Sequence, residues 1–182
     1  MKTRDVVIHS GDAFVVPQNV QRIDSDSTHG WQVRYHGTKF FSDGSPDGSG
    51  AGRALELATR ELLARVASMP APVTLRREPS PSKTSDLPAG ISGPILVDRD
   101  GSQSAVLSVS LPRYGQDAQV KRIYIGTPRT YRKARLRAAI ERAVALRTEA
   151  LAQYEADATR ARRKATFAAA AATRKALRAA RG

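Results

Sequence analysis

The fold is decided by one alternating stretch and the turn within it, Gly30-Trp31-Gln32-Val33-Arg34-Tyr35-His36-Gly37-Thr38-Lys39-Phe40-Phe41. Apolar residues occupy every second position of its first half, so Trp31, Val33 and Tyr35 share one face of a strand. The Gly-Thr pair indicates a turn, and the residues after it predict a second strand. We therefore expect a β-hairpin, with Trp31 packed on a helix rather than on a ligand.

The residues on both sides of this hairpin predict the rest of a small unit. Ala13-Phe14-Val15-Val16 and Val20-Gln21-Arg22-Ile23 have the composition of strands. After the hairpin, apolar residues recur at helical spacing, at Leu55, Ala58, Leu62, Val66 and Met69. Pro70 predicts the end of that helix.

A second unit repeats this order of elements after a proline-rich stretch. Residues 70–90 contain five prolines, which predict an extended linker. Strands are predicted at Pro94-Ile95-Leu96-Val97, across the alternating residues 105–111, and at Val120-Lys121-Arg122-Ile123-Tyr124-Ile125. From Tyr131 to Arg181 there is neither Gly nor Pro, which predicts one long helix.

These elements predict an α+β fold with two small three-stranded antiparallel sheets, each packed on one helix, and a long basic C-terminal helix. The predicted organisation is a first unit at 1–69, a linker at 70–90, a second unit at 91–150 and a basic helical extension at 151–182. The repeat concerns the pattern of elements, since the two units share little sequence identity.

Composition excludes several classes of function. The chain of 182 residues has no cysteine, hence no disulfide, no thiolate zinc site and no cysteine nucleophile. Its three histidines, His9, His29 and His36, show no metal-binding spacing to Asp or Glu, so we expect no metal and no other cofactor. No phosphate-binding loop and no nucleophile elbow occurs, so we expect neither an enzyme nor a small-molecule substrate.

No apolar run approaches the roughly 18 residues of a membrane span. The N-terminal apolar stretch is also too short for a signal peptide. We expect a cytoplasmic protein without a membrane partner.

The positive charge is concentrated at the end of the chain. Residues 1–69 carry eight basic and eight acidic side chains, residues 70–129 have a net charge of +3, and residues 130–182 have +10, within a total of +13. A segment of this kind attracts polyanions, of which nucleic acid is the commonest. An anionic membrane surface, an acidic protein surface and a merely solvated helix face are the alternatives.

On a helix, the basic residues near the C-terminus fall into one stripe. Its members are Arg160, Arg163, Lys164, Arg174, Lys175, Arg178 and Arg181. The opposite side is almost entirely alanine, which buries too little surface to hold the helix on a core. We therefore expect the helix to project from the second unit and to contact phosphates.

The segment Tyr124-Ile125-Gly126-Thr127-Pro128-Arg129-Thr130, with a helix carrying Ala134 and Ala138 behind it, resembles the Apetala/ethylene-response-factor DNA-binding domain of the bacteriophage and integrase-associated type. The first unit is similar to it at residues 30–35 and 39–41. The resemblance implies tandem domains, each with three antiparallel strands packed on one helix. It also implies that an exposed sheet face enters the DNA major groove.

The candidate nucleic-acid-binding residues follow from these two sheets. On the first sheet we expect one face to carry Arg22, Gln32, Arg34, His36 and Lys39. On the second we expect one face to carry Arg99, Ser108, Ser110, Arg122 and Tyr124, with the serines small enough to let a base edge approach, and Lys121 is a further candidate. Arg and Gln are the side chains that read guanine and adenine edges.

The sequence therefore predicts a non-catalytic protein that binds double-stranded DNA in a regulatory or architectural role, with a phage as one source. The alternative is a protein-interaction module, either a virion component or a phage inhibitor of a nucleic-acid-processing protein. The zero net charge of residues 1–69 favours this alternative, because it suits DNA poorly.

Overall fold

The computed structural model describes residues 3–180 and confirms the predicted α+β class. Its elements are β1 (Thr3–Val7), β2 (Ala13–Pro17), β3 (Val20–Asp24), β4 (His29–Arg34), β5 (Thr38–Ser42), α1 (Ala51–Ser68), β6 (Ile91–Arg99), β7 (Ser102–Arg113), β8 (Gln116–Gly126) and α2 (Lys133–Ala179). They form two compact units. The first runs to Pro72 and resumes at Thr159, and the second is Val73–Ala158.

The first unit is built on the antiparallel sheet β3-β4-β5, with a separate two-stranded sheet β1-β2. The pair β1-β2 was not predicted as a sheet, because β1 mixes charged and apolar residues without a clear alternation. Trp31 lies in the core as expected: it is fully buried, and its Nε1 donates a hydrogen bond to the carbonyl of Ala51 at 2.9 Å. Leu55 and Leu62 of α1 are buried in the same core.

The last part of α2 also packs in the first unit, so the expectation of a projecting helix is wrong. Leu177 joins the core beside Gly52, near the start of α1. Arg163 donates from Nε to the carbonyl of Val66, near the end of α1, at 3.2 Å. These two contacts show that α1 and the end of α2 run antiparallel.

The side of α2 that is buried there differs from the predicted alanine side. Its buried members are Thr166, Ala169, Ala170, Thr173 and Leu177. Each small side chain removes little apolar surface from water, and Leu177 is the one large apolar residue among them. The hydroxyls of Thr166 and Thr173 donate to the carbonyls of Arg162 and Ala169, which satisfies these polar atoms inside the helix.

The second unit consists of the antiparallel sheet β6-β7-β8 and the first part of α2. Leu107 and Ile123 pair across β7 and β8 and pack with Ala139 and Ala143 of α2. Gly126 ends β8 where the chain turns into the helix. A Cβ at Gly126 would lie 2.9 Å from the backbone nitrogen of Tyr131, so the close turn requires glycine at this position.

Residues 70–90 form neither helix nor strand. From Val73 they belong to the second unit, where the ammonium of Lys83 donates to the carbonyls of Leu87, Pro88 and Ile91. The predicted boundaries therefore shift at two points. Most of the linker joins the second unit, and the extension joins the first unit from Thr159.

Within the described part of the chain, neither α1 nor α2 combines the length and the apolar character that crossing a membrane requires.

Candidate nucleic-acid interface

One face of the second sheet is turned away from the helix. Ser92, Ser108 and Arg122 form one cross-strand row on it. Cross-strand partners share a face of a sheet. Leu107 and Ile123, which pair across β7 and β8 and pack on the helix, lie on the opposite face. The complete set, called the open face below, is Ser92, Ile95, Val97, Arg99, Ser102, Ser104, Val106, Ser108, Ser110, Val120, Arg122 and Tyr124.

The open face has cationic and aromatic groups and no carboxylate. Arg99 and Arg122 are exposed, and within residues 3–180 neither guanidinium has an ion-pair or hydrogen-bond partner. The side chain of Tyr124 is also exposed, at 56%. Ser108, the neighbour of Arg122 in the row, and Ser92 beyond it are both small, so the guanidinium of Arg122 is accessible from above the sheet.

The sequence prediction of a shared face is confirmed for the five residues that it named. Arg99, Ser108, Ser110, Arg122 and Tyr124 share the open face, as expected. The further candidate Lys121 lies on the other face, because it is the cross-strand partner of Val109, which packs in the core on the helix side. Its side chain is nevertheless exposed at the margin of that side.

Two further arginines lie beside this sheet that sequence analysis did not select. A shallow cleft next to β8 is lined by Tyr124 and by Arg135 and Arg142 of α2. Both arginines are exposed, and their seven-residue spacing places them on one side of the helix. The seven-residue spacing is visible in the sequence, but the sequence does not show that these two arginines lie beside β8.

The candidate residues of the first sheet do not share a face. Arg22 pairs across the sheet with Trp31, and Lys39 with Val33, so both lie on the helix side. Gln32 and Arg34 lie on the other side, where the Nε of Arg34 donates to Oε1 of Gln32 at 2.6 Å. The predicted common surface of this sheet is therefore wrong.

Arg22 is a structural residue instead. Its Nη2 lies 2.7 Å from Oδ1 of Asp24 and 2.6 Å from Oδ2 of Asp43, and its side chain is only 7% exposed. Burial works against its charge, but the bonds to Asp43 and Asp24 outweigh burial and raise the pKa of Arg22. The hydrogen bond from Arg22 in turn holds the pKa of Asp24 well below its usual range.

The two other candidates of this unit also have partners within it. Lys39 forms an ion pair with Glu61 of α1 at 3.0 Å, and Glu61 receives a second bond from Arg65 at 2.8 Å. His36 lies in the turn after β4, where its Nε2 donates to the carbonyl of Pro70 at 2.8 Å. These contacts tie the sheet to α1 and to the segment that follows it.

The basic stripe of α2 lies on the exposed side of the packed helix. Its described members, all exposed, are Arg160, Arg163, Lys164, Arg174, Lys175 and Arg178. Arg181 lies outside the described residues. Arg162, which is off the stripe, is half-buried and stacks over the ring of Tyr35 with 5.8 Å to its centroid. The stripe is thus a cationic surface next to the buried side of the helix, and Arg163 at its margin bonds the carbonyl of Val66.

One group of side chains contradicts the sequence analysis directly. The expectation that no histidine lies near a carboxylate in a metal-binding arrangement is wrong, because ligand atoms of His9, Asp24 and His29 lie within 4.8 Å of one another. These residues come from the segment after β1, the end of β3 and the start of β4. No local spacing predicts this cluster, since only the topology brings the three positions together.

Comparison with known protein families, with curated proteins and with solved structures finds no match for this chain. The resemblance to the Apetala/ethylene-response-factor domain therefore stays a prediction that rests on the residues quoted for it.

Proposed function

We propose that the protein binds double-stranded DNA, without catalysing a reaction on it, through the open face of its second sheet. The observation that carries this proposal is the pair of guanidinium groups, without partners among the described residues, on the sheet face that is turned away from the helix and has no carboxylate. The major groove of DNA is wide enough to admit β-strands, and arginine is the side chain that most often contacts guanine there.

Each part of the open face has a role in this proposal. Arg122 reaches a base edge, since the small side chain of Ser108 beside it leaves room for the groove wall. Tyr124 contacts the sugar or base next to the one that Arg122 contacts. Arg99, the last residue of β6, contacts a phosphate. Arg135 and Arg142 extend the cationic surface past the edge of β8 toward the backbone of the duplex.

The basic stripe of α2 is a second cationic surface, in the first unit. Its exposed Lys and Arg side chains contact phosphates without reading sequence. The first sheet has no part in base contact in this proposal, because Arg22 and Lys39 are held by carboxylates of their own unit. A protein that binds DNA without catalysing a reaction on it has a regulatory or architectural role, and we propose this role here.

The sharpest test compares two neighbouring residues of β8. Arg122→Ala removes a side chain of the open face, and Lys121→Ala removes an equal charge from the opposite side. We expect the affinity for a duplex of about 30 base pairs to fall roughly 5- to 100-fold for Arg122→Ala, and much less for Lys121→Ala, in a fluorescence anisotropy titration. Equal decreases in affinity would contradict groove contact by the open face.

A protein partner is the second candidate, and one observation favours it. Ile95, Val120 and Tyr124 are 41%, 62% and 56% exposed on the same face, which is more apolar surface than phosphate contact needs. The same titration separates the two candidates. Absence of duplex binding at about 50 mM salt would leave the open face to a protein, because nonspecific DNA affinity is greatest at low salt.

A further inference from the structure

We propose that His9, Asp24 and His29 form a binding site for one divalent ion of the zinc class. The Nδ1 atom of His29 lies 2.9 Å from Oδ1 of Asp24, and the Nδ1 atom of His9 lies 3.3 Å from the same oxygen. The two imidazole rings stack with 4.0 Å between their centroids. Two imidazole nitrogens and one carboxylate are a ligand set that Zn²⁺ uses with a water in the fourth position.

The hydrogen bond on the far side of His9 determines which of its nitrogens can bind an ion. Its Nε2 lies 2.7 Å from the carbonyl oxygen of Pro46. A carbonyl only accepts, so Nε2 carries the proton and the neutral ring presents its Nδ1 lone pair to Asp24. A lone pair facing a carboxylate is repulsive unless a second proton or a cation lies between them. Metal-binding histidines have the same arrangement, with the outer nitrogen donating to a backbone carbonyl.

The distances fit a small ion. Zinc binds nitrogen and oxygen at about 2.0–2.2 Å, so two ligand atoms of a tetrahedron lie roughly 3.3 Å apart. The separations of the two Nδ1 atoms from Oδ1 of Asp24, 2.9 and 3.3 Å, are near this value. The side chains are 17–29% exposed, so an ion reaches them from solvent without unfolding of the unit.

The surrounding charges also favour a cation. Asp24 and Asp43 supply two negative charges, and Arg22 between them supplies one positive charge. With neutral imidazoles the group keeps a net negative charge. Arg22 bonds both oxygens of Asp24, at 3.0 Å from its Nε, so it orients the carboxylate that the ion would bind.

The site would connect parts of the first unit that are separate sheets. His9 follows β1, whereas Asp24 and His29 are the facing ends of β3 and β4. An ion held by all three residues ties the two-stranded sheet to the three-stranded sheet. Binding to the folded state alone raises the thermal midpoint of unfolding with ion concentration.

The test is isothermal titration of the chelator-treated full chain with ZnCl₂, together with its thermal midpoint. We expect one Zn²⁺ per chain, and a decrease in affinity of at least about tenfold in His29→Ala, since removal of an outer-shell partner alone costs roughly 10–100-fold. His36→Ala is the matched control, because that histidine lies outside the cluster, and it should bind like the wild type. Mg²⁺, which prefers oxygen ligands, should not replace Zn²⁺.

A spectrum of the unmodified chain tests the same point without any variant. In a long-range ¹⁵N–¹H experiment, Zn²⁺ should shift the Nδ1 resonances of two histidines and leave Nε2 of His9 protonated. Absence of stoichiometric Zn²⁺ binding by the wild-type chain would overturn the proposal. Binding that His29→Ala leaves intact, or binding through Nε2 of His9, would overturn it as well.

Discussion

At the scale of single residues, an arginine side chain is a buried structural group in the first sheet and an exposed candidate for binding in the second. Arg22 is buried between two carboxylates, whereas Arg122 is exposed and without a partner in the described residues. Nothing local in the sequence separates them, because each follows a polar residue in a strand. The difference comes from Asp24 and Asp43, which the chain brings to Arg22 only after β3, β4 and β5 have paired.

Removing one of these carboxylates should destabilise the first unit. The Asp43 side chain is fully buried, and Asp43→Ala leaves the Arg22 charge partly uncompensated in the interior. We expect the free energy of unfolding to fall by about 3–5 kcal/mol in urea denaturation, the usual cost of breaking a buried pair. Asp26→Ala is the control, because Asp26 is exposed and its replacement should change stability little. If Asp43→Ala destabilised the protein no more than Asp26→Ala, the structural role of the Arg22–Asp43 pair would be refuted.

Glu61 should make part of the stability depend on pH. Hydrogen bonds from Lys39 and then Arg65 lower the pKa of Glu61 in the folded state. A lowered pKa means that the stabilisation is complete above the unfolded value of about 4.3 and disappears as pH falls through the folded value. We expect Glu61→Gln to unfold with a flatter pH dependence below about pH 4.5, with a difference under about 1 kcal/mol at neutral pH because the pair is partly exposed. Identical pH profiles for both chains would contradict this.

At the scale of elements, alternation predicted the second sheet well and the first sheet poorly. The β7 and β8 strands are long, and the residue pattern in each fixes its own faces, so Ser108, Arg122 and Tyr124 were placed correctly. In the first sheet, the candidates lie on three different strands, so their faces can be compared only when the pairing of those strands is known. A face shared by Arg22 and Gln32 depends on the register, which local alternation does not determine.

The helix α2 shows the other limit of sequence reasoning. Its uninterrupted extent was predicted from the lack of Gly and Pro, but its packing was not. The buried face combines threonine, alanine and one leucine, so it has a weak hydrophobic pattern. The partner surface on the first unit is remote in sequence, and a face made mostly of small side chains gives little signal in a hydropathy count.

The last turns of α2 should detach when Leu177 is replaced by a charged residue. In Leu177→Asp a carboxylate replaces a buried side chain of the first core, and burial of that charge is unfavourable. We expect backbone amides of residues 166–180 to lose protection from hydrogen exchange while those of β7 and β8 keep theirs. Arg178→Asp is the control, because it introduces the same residue at the exposed neighbouring position. If Arg178→Asp lowered the protection of residues 166–180 as much as Leu177→Asp, the loss would not be caused by disrupted packing of Leu177.

At the scale of the whole molecule, the basic residues of 130–182 are divided between the two units, with Arg135 and Arg142 in the second unit and the basic stripe in the first. The open face and the arginines beside it belong to the second unit, and the basic stripe belongs to the first. The first unit therefore owes its positive surface to residues that lie far along the chain from its sheet. A net charge counted over residues 1–69 alone misses this contribution.

The central claim is that the open face binds the duplex through Arg99 and Arg122. The most direct test is the dependence of affinity on salt for the wild type and for the double variant Arg99→Ala/Arg122→Ala, from about 50 to 200 mM. Removal of one phosphate-binding cation should flatten the slope of log K against log salt by about 0.9, whereas removal of an arginine that binds a base lowers affinity with less change in slope. We predict weaker binding at every salt concentration and a slope flatter by about 1 for the double variant. Unchanged affinity and slope would contradict the account.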